Sequence, residues 1–309
     1  MRRVSVIINP ISGSSGRPDV ARRRAEQAAA LLTARGVEPE IVLTERQGHA
    51  HALAAAARER RVSLVVAWGG DGTVNEVASA LAFGDVPIAI VPSGSGNGLA
   101  RELGIPLDPE GAFDVAFRGR DFVMDAGRLD GRLFFNVAGV GLDAHVAHRF
   151  AARGLVKRGF SRYAAITLQQ LFSYHPDEHT IATDDDTLRE RALLIAIANA
   201  RQYGNGAIIA PGARLDDGRL DVVVVRQRSP LRALLQLPMI FSGKVEEIEG
   251  VTMRSTAAVE ITSGKPVLYH VDGEPFVGGA SIRAAAHPGA LKIRVPSHKG
   301  HTDPLSFTR

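Results

Sequence analysis

The stretch Ser63-Leu64-Val65-Val66-Ala67-Trp68-Gly69-Gly70-Asp71-Gly72-Thr73-Val74-Asn75 decides the fold of this chain. Residues 64–68 form an unbroken apolar run bounded on both sides, which predicts a fully buried strand. Gly69, Gly70 and Gly72 then surround a single carboxylate, Asp71, and Val74, Val77, Ala78 and Leu81 recur at helical spacing. A buried strand that runs through a glycine turn into a helix N-terminus can hold an anion on backbone N–H groups. A carboxylate inside such a turn is out of place if phosphate alone is bound. It acquires a role if Asp71 handles a proton, or a water-bridged Mg2+, beside that phosphate.

The same pattern repeats on either side. Residues 4–8 predict a β-branched strand, followed at 9–16 by a loop of turn formers. There Asn9, Ser12 and their small neighbours can cradle phosphates, with Arg17 and Arg22 adding charge. A helix over 18–35, closed by Gly36, leads to a strand over 40–44. Thr44, at the end of that strand, can reach a ribose or phosphate oxygen. An alanine-rich helix follows at 48–60, and after the quoted stretch comes a strand at 87–91 whose loop carries Ser95 and Asn97. Four strand–helix units in succession predict a doubly wound parallel sheet with ligands at the carboxyl ends of its strands. Every glycine- and hydroxyl-rich loop lies at such an end.

Near residue 120 the character changes. Asp130-Gly131, Asp217-Gly218 and Asp272-Gly273 are turn signals between short strands. A helical stretch at 144–174 is interrupted at 154–159, and residues 231–240 predict an amphipathic helix or lid. The expected organisation is a nucleotide-binding α/β domain over 1–119 and a mainly antiparallel β-sandwich with a helical insertion over 120–309. The run Asp184-Asp185-Asp186 reads as a solvated turn.

Composition narrows the chemistry. The 309 residues include no cysteine, which excludes disulfides, thiolate metal sites and thiol catalysis. A formal charge of +4 falls short of a nucleic-acid footprint. The apolar run at the N-terminus is too short for a signal peptide, and no segment reaches ~18 apolar residues, so a cytoplasmic enzyme is expected. No Gly-x-x-x-x-Gly-Lys or His-Arg-Asp motif occurs, and Gly139-Val140-Gly141 lacks the third glycine of a dinucleotide fingerprint. A P-loop NTPase, a protein kinase and an ordinary NAD-dependent dehydrogenase are disfavoured.

Gly69-Gly70-Asp71-Gly72-Thr73, followed by Asn75-Glu76-Val77, resembles the nucleotide-binding signature of the diacylglycerol kinase and sphingosine kinase superfamily. Further segments match in the family's order: Asn9-Pro10-x-Ser12-Gly13; Leu43-Thr44-Glu45-Arg46 with His49-Ala50; Pro92-x-Gly94-Ser95-Gly96-Asn97; Asn136-x-Ala138-Gly139-x-Gly141-x-Asp143-Ala144; Pro211-x-Ala213-x-Leu215-x-Asp217-Gly218; and Val271-Asp272-Gly273-Glu274.

The resemblance implies a first domain like that of NAD kinases and phosphofructokinases, and an ATP- and Mg2+-dependent lipid kinase. Asn9, Ser12, Thr44, Gly69, Gly70, Asp71, Gly72, Thr73, Asn75, Ser95 and Asn97 would contact the nucleotide in a cleft between domains. Asp71 and Asp125 would organise the catalytic Mg2+ through water. Glu274, with Asp272 beside it, or else Asp71, would take the hydroxyl proton. Asp143 would read the lipid's polar head, with Lys157 and Arg158 as phosphate partners. Asp217, with backbone oxygens of Arg214 and Arg219, would hold a structural metal. The acyl chain is expected near 144–174 and 231–240.

The partner implied is a lipid at the membrane surface, reached peripherally through Arg149, Arg153, Lys157 and Arg158. No nucleic acid is implied, and a homodimer stays open. Gly98 stands where many diacylglycerol kinases carry an aspartate, which removes one carboxylate from the expected Mg2+ network. Residues 95–100 and 43–46 are closer to the sphingosine kinase form and Thr73 with 75–77 to the bacterial diacylglycerol-kinase-like form, so the lipid is undecided. The alternatives are an NAD kinase-like nucleotide kinase and a catalytically degenerate nucleotide-binding regulator.

Overall fold

The computed structural model describes residues 3–13, 18–152 and 160–297. Ser14 to Arg17, residues 153–159 with Arg153, Lys157 and Arg158, and the chain beyond Ser297 lie outside the described residues.

The chain forms two compact units: the described parts of Met1–Met124 with Gly289–Arg309, and Asp125–Pro288. A single cut at residue 120 differs from this division at both crossings. Met124 still belongs to the first unit, and the chain's last strand returns to it.

In the first unit, β1 (Val4–Ile8), α1 (Pro18–Thr33), β2 (Pro39–Leu43), α2 (His49–Glu59), β3 (Leu64–Gly69), α3 (Asp71–Leu81) and β4 (Ile88–Pro92) alternate as their sequence periods predict. The short α4 (Gly98–Glu102) and α5 (Pro109–Arg118) follow. The strands run parallel in the order β2-β1-β3-β4. β1 and β3 are buried along their whole length, which accounts for their unbroken apolar runs.

Between β1 and β3 the connections leave in opposite directions, so the loops after these strands part at a topological switch point. Helix α5 has no counterpart in the periodicity argument. Asp108 caps it by accepting the Gly111 N–H at 2.8 Å, and Pro109 opens its first turn. Its Phe113 meets the edge of Trp68 at 5.8 Å between ring centroids.

The second unit is antiparallel. The chain enters it within β5 (Arg120–Leu129), and Asp130 and Gly131 then turn with φ of 47° and 84° into β6 (Arg132–Phe134). Both angles are positive, as a two-residue hairpin of the predicted kind requires. There follow β7 (Val137–Gly141), α6 (Leu142–Ala152), α7 (Phe160–Ser173), β8 (Glu178–Thr183), β9 (Thr187–Ala198), β10 (Gln202–Gly204), β11 (Ala207–Ile208), β12 (Leu220–Arg226) and α8 (Pro230–Phe241). The unit is completed by β13 (Val251–Thr256), β14 (Ala258–Ser263), β15 (Leu268–Val271), β16 (Glu274–Val277) and the first part of β17 (Ser281–Val295).

Strand β9 is the spine of this unit, pairing with β8 through its first half and with β7 and β12 through its second. Its alternate residues serve two cores. Ile195 and Ile197 face one cluster with Val222, Ile261 and Tyr269, while Ala196 and Ala198 face another with Val223, Ile209 and Val245. A sheet buried on both faces is the sandwich that the run of short strands predicted.

The sequence pattern separates short strands over 281–285 and 291–295, whereas the structure runs one strand through Pro288 and Gly289. Gly289, at φ 62°, supplies the irregularity. Beyond it Ile293 pairs in parallel with Ile88 of β4, adding a strand to the first unit's sheet.

Candidate active site

In the first unit three loops meet at the carboxyl ends of β1, β3 and β4, and their contacts can be followed bond by bond. The Asn9 N–H donates to the Trp68 carbonyl at 2.9 Å, and its side-chain amide donates to the buried Thr73 hydroxyl at 2.8 Å. The Ser93 N–H donates to the Gly69 carbonyl at 2.8 Å. Side chains are absent where backbones pack most tightly: a Cβ on Gly94 would lie 2.6 Å from the Gly70 Cα, and one on Gly13 only 1.9 Å from the Ser93 carbonyl oxygen. Thr44 is buried at the end of β2, its N–H donating to the Ile8 carbonyl at 2.9 Å. Ser95 is exposed at the loop tip, and the Asn75 side-chain Oδ1 accepts from the Ser79 hydroxyl at 3.4 Å.

Asp71 opens α3 and reaches across to the third loop. Its two oxygens accept the Asn97 N–H at 2.9 Å and the Gly98 N–H at 2.7 Å, at the start of α4. Asn97 makes this approach possible by taking a left-handed φ of 52°, with its side chain bonded to both backbone groups of Gly94. Burial pushes the Asp71 carboxyl above its ordinary range, and the two N–H bonds oppose that rise. An aspartate at position 98 is thus not needed for contact with the first glycine loop, because the Gly98 backbone provides it.

Two supporting residues carried no signal in the motif reading. Arg24 on α1 donates to the carbonyls of Asn9 and Ser12 at 3.0 and 2.8 Å, clamping the first loop. Arg22, expected to add charge there, pairs instead with Glu26 on the exposed face of the same helix. Glu76, noted only as part of a motif, accepts the N–H groups of Gly48, Ala50 and His51 at 2.9, 3.0 and 3.4 Å. It caps α2, whose own N-cap residue is a glycine with no side chain to offer.

The second unit holds the other named residues. Asp125 is buried and accepts the Gly218 N–H at 2.6 Å. Asp217 next to it accepts from the Arg219 N–H at 3.0 Å, while the Arg214 side chain pairs with Asp216 at 3.3 Å. Burial raises the Asp217 carboxyl, and the Asp125 charge adds to the rise; burial and the Asp217 charge push Asp221 up to about 6. Among the described residues no group of three or more histidine and acidic side chains forms a ready metal shell.

Asp272 sits at φ 46° and accepts three N–H groups, those of Phe135, Asn136 and Val137, at 3.0, 3.0 and 3.1 Å. That carboxylate fixes the start of β7. Glu274 lies half-buried on β16, opposite Val271.

Asp143 belongs to a trio with the buried His270 and the half-buried Tyr203. The His270 Nε2 lies 2.7 Å from its Oδ2, and the Tyr203 hydroxyl donates to the same oxygen. The Gly273 N–H donates to His270 Nδ1 at 3.3 Å, so Nε2 carries the proton that Asp143 accepts. A Cβ on Gly139 would come within 2.0 Å of Asp143 Oδ2, so a glycine there is the condition for the trio to assemble. His270 and Tyr203 were missed by the sequence reading, although His270 directly precedes a quoted motif.

Beside the trio, a cavity of about 420 Å³ opens between α6, α7 and the β14–β15 connection. His145, Arg149, Gln170, Tyr174, His179 and Lys265 make much of its wall, which is more polar than an acyl-chain pocket requires. Residues 231–240, expected to share the chain's pocket, contribute nothing to it. Burial pushes the Tyr174 hydroxyl up to about 12, so it stays a donor, and burial holds His145 and His179 below the ordinary histidine range.

A set of glycine-rich loops joined at the carboxyl ends of a doubly wound sheet, followed by a β-sandwich unit, is the arrangement expected of a class of phosphotransferases, and the comparisons agree. Residues 3–129 match the family model of the diacylglycerol kinase catalytic domain, and residues 136–295 that of the YegS C-terminal NAD kinase beta sandwich-like domain. The chain belongs to the diacylglycerol kinase family of lipid kinases.

Among its relatives, a diacylglycerol kinase of Mycobacterium tuberculosis (strain CDC 1551 / Oshkosh) is 32% identical over 304 residues, covering 96% of each chain. A protein of Pseudomonas aeruginosa named probable lipid kinase YegS-like is 30% identical over 273 residues, 87% of this chain and 89% of its own. The solved structure of a diacylglycerol kinase from Bacillus anthracis strain Sterne superposes with a TM-score of 0.71 at 18% identity, covering 95% of this chain and 97% of its own. An NAD kinase from Archaeoglobus fulgidus in complex with ATP reaches 0.50 at 11% identity, covering 94% and 93%. These two likenesses concern the fold. Among the described residues no helix is long and apolar enough to cross a membrane.

Proposed function

We propose that this kinase transfers the γ-phosphate of ATP to a hydroxyl of a diacylglycerol-like or sphingoid lipid. The observation that carries the reading is the joined set of glycine loops around Asp71, bonded to one another at the switch point of the parallel sheet. Phosphoryl transfer depends mainly on positioning and charge neutralisation, and a loop set this tightly constrained suits that task.

The nucleotide phosphates would lie against the loops at Asn9–Ser12, Gly69–Thr73 and Ser95–Asn97, with Thr44 and Asn75 at the margins. Mg2+ ordinarily needs only one or two protein carboxylates besides waters and phosphates, so no preformed shell is required, and the carboxylates assigned to it are Asp71 and Asp125. Bound there, the ion would neutralise charge on the transferring group.

Asp71 and Glu274 are the candidates to take the hydroxyl proton, while Asp272, with three N–H donors on its carboxylate, holds β7 in position. Asp143, fixed by His270 and Tyr203, faces the choice of lipid head. A second cation at Asp217 with the backbone oxygens of Arg214 and Arg219 would relieve the crowding of Asp217, Asp221 and Asp125. The acceptor resides in a membrane, so the chain would associate peripherally with its surface.

The test is transfer from labelled ATP to a panel of diacylglycerol, monoacylglycerol, ceramide, sphingosine and NAD, with and without Mg2+. Transfer to a glyceride or sphingoid lipid is expected; transfer to NAD alone decides for a nucleotide kinase. ATP binding with no acceptor at all decides for a regulator. Asp71→Asn is expected to reduce transfer by about a thousandfold or more while the chain stays folded. Full activity of that variant would sink the mechanism.

A further inference from the structure

Helix α8 is turned the wrong way round for water. Its first turn is well made: Ser229 caps it by accepting from the Arg232 N–H at 3.4 Å, and Pro230 takes the first position. Yet no residue of the helix is fully buried. Met239 and Ile240 pack partly against the cluster around Val223 and Val245. The opposite face holds Leu231, Leu235, Leu237 and Phe241, which are 63%, 72%, 40% and 48% exposed, with Pro238 between them. At about 100° per residue these positions span an arc of roughly 160°. Isolated exposed leucines are ordinary, but this many on one face of a twelve-residue helix mark an interaction surface.

We propose that α8 is the element by which the enzyme inserts into the bilayer that carries its acceptor, the apolar arc entering at the level of the acyl chains. This rests on the lipid-kinase reading above and names the surface that serves it. Three features favour a bilayer over a second protein chain. The arc is broad, as in interfacial helices, whereas helix pairing uses a narrower seam. Pro238 lies inside the helix without an N–H to complete its ladder, which disturbs the regular turns a packing partner would need. Residues 230–244 contain Arg232 and Lys244 and no acid, which suits anionic headgroups beside the inserted face. Lys244 reaches Glu247 at 3.7 Å, so Arg232 is the cation on the helix itself. Apolar insertion of α8 is a different contact from the basic set on α6 and beyond that the sequence suggested.

The decisive variant is Leu231→Ser with Leu235→Ser, two exposed positions whose change leaves the core intact. Binding is read by cosedimentation with phosphatidylcholine vesicles with and without phosphatidylglycerol. The double variant is expected to lose roughly tenfold to a hundredfold in vesicle binding, as two leucine side chains leave the bilayer. KM for vesicle-borne diacylglycerol should rise in step, with kcat on a short-chain diacylglycerol dissolved as monomer unchanged.

Leu107→Ser, an equally ordinary exposed leucine in the first unit, should change neither. In Leu235→Trp the new indole should be quenched by brominated acyl chains, since the native Trp68 is buried. Wild-type vesicle binding by the double variant overturns the proposal. So does an equal loss in Leu107→Ser, or a loss explained by dissociation of a dimer in the absence of lipid. If the wild type binds vesicles through Leu231 and Leu235 but phosphorylates no lipid, docking stands and the lipid-kinase reading falls. If it phosphorylates the monomeric acceptor without binding vesicles, the reverse holds.

Discussion

Replacing Asp272 with asparagine separates two accounts of the same carboxylate. By resemblance it stands next to the proton acceptor; by geometry it holds the start of β7. Position 272 has φ 46°, where asparagine is tolerated as well as aspartate, so the substitution adds no backbone strain and tests the carboxylate alone. In the native chain one oxygen accepts the Asn136 and Val137 N–H groups and the other accepts that of Phe135. An asparagine can keep the pair on its carbonyl oxygen, but its NH2 must then face the Phe135 N–H. One bond is lost and one donor is stranded among the buried residues Phe135, Asn136 and Val137.

A stranded buried donor costs about 1–3 kcal/mol. At roughly 2–4 °C per kcal/mol for a unit of this size, the melting point should fall by roughly 2–12 °C. Hydrogen exchange at Phe135 and Val137 should accelerate. Because β7 leads directly to Gly139 and Asp143, KM for the lipid should rise more than kcat falls. The result that would refute this reasoning is a native melting point and native exchange at residues 135–137, combined with a collapse of kcat. Asp272 would then belong to the chemistry after all.

Glu76→Ala removes the acceptor for three N–H groups at the start of α2, and a loss of about 1–2 kcal/mol is expected, read as a lower denaturant midpoint with an unchanged m-value. No loss would mean that water replaces the cap. Asp221 gives a pH test. Its folded pKa of about 6 lies above that of an unfolded carboxyl, so the stability it contributes is fully present below about pH 4 and is lost as pH rises through about 6. Asp221→Asn should therefore stabilise the chain by about 1–2 kcal/mol at pH 8, a figure held below the full linkage value because the side chain is partly exposed. The gain should vanish near pH 4; an equal effect at both pH values would show that charge is not the cause. Added Mg2+ should narrow the gap at pH 8 if a cation binds beside Asp217.

How much of this was legible in the chain depends on the range of the interaction. The strand–helix alternation of the first unit and the hairpin at Asp130-Gly131 are local, written in hydrophobic period and in residues that accept positive φ. Both emerged within a residue or two of their expected bounds. Helix α5 escaped because its periodicity is short and its signal lies in Asp108-Pro109, a cap rather than a stripe. The separation of strands 281–285 and 291–295 failed for the opposite reason: the strand pairing on either side carries the chain through Pro288 and Gly289. Arg24, Glu76, His270 and Tyr203 were not legible in their roles, because each acts on a segment made close only by the fold.

The motif carboxylates share a property that reconciles these successes and misses. Asp71 holds the N–H groups of Asn97 and Gly98, Glu76 those of Gly48, Ala50 and His51, Asp125 that of Gly218, and Asp272 those of Phe135, Asn136 and Val137. Each is an acid that satisfies backbone donors of another loop or element, far away in sequence. Such a bond does two things at once. It removes the cost of burying an N–H in a turn that has no ladder to join, and it fixes the distance between two loops that must act on one ligand. A motif can then be dense in acids and glycines without every acid taking part in the reaction. The glycines permit the approach, and the acids hold it. In this chain Asp71 anchors the third loop through both of its oxygens. Asp272, with three N–H donors on its carboxylate, anchors the start of β7.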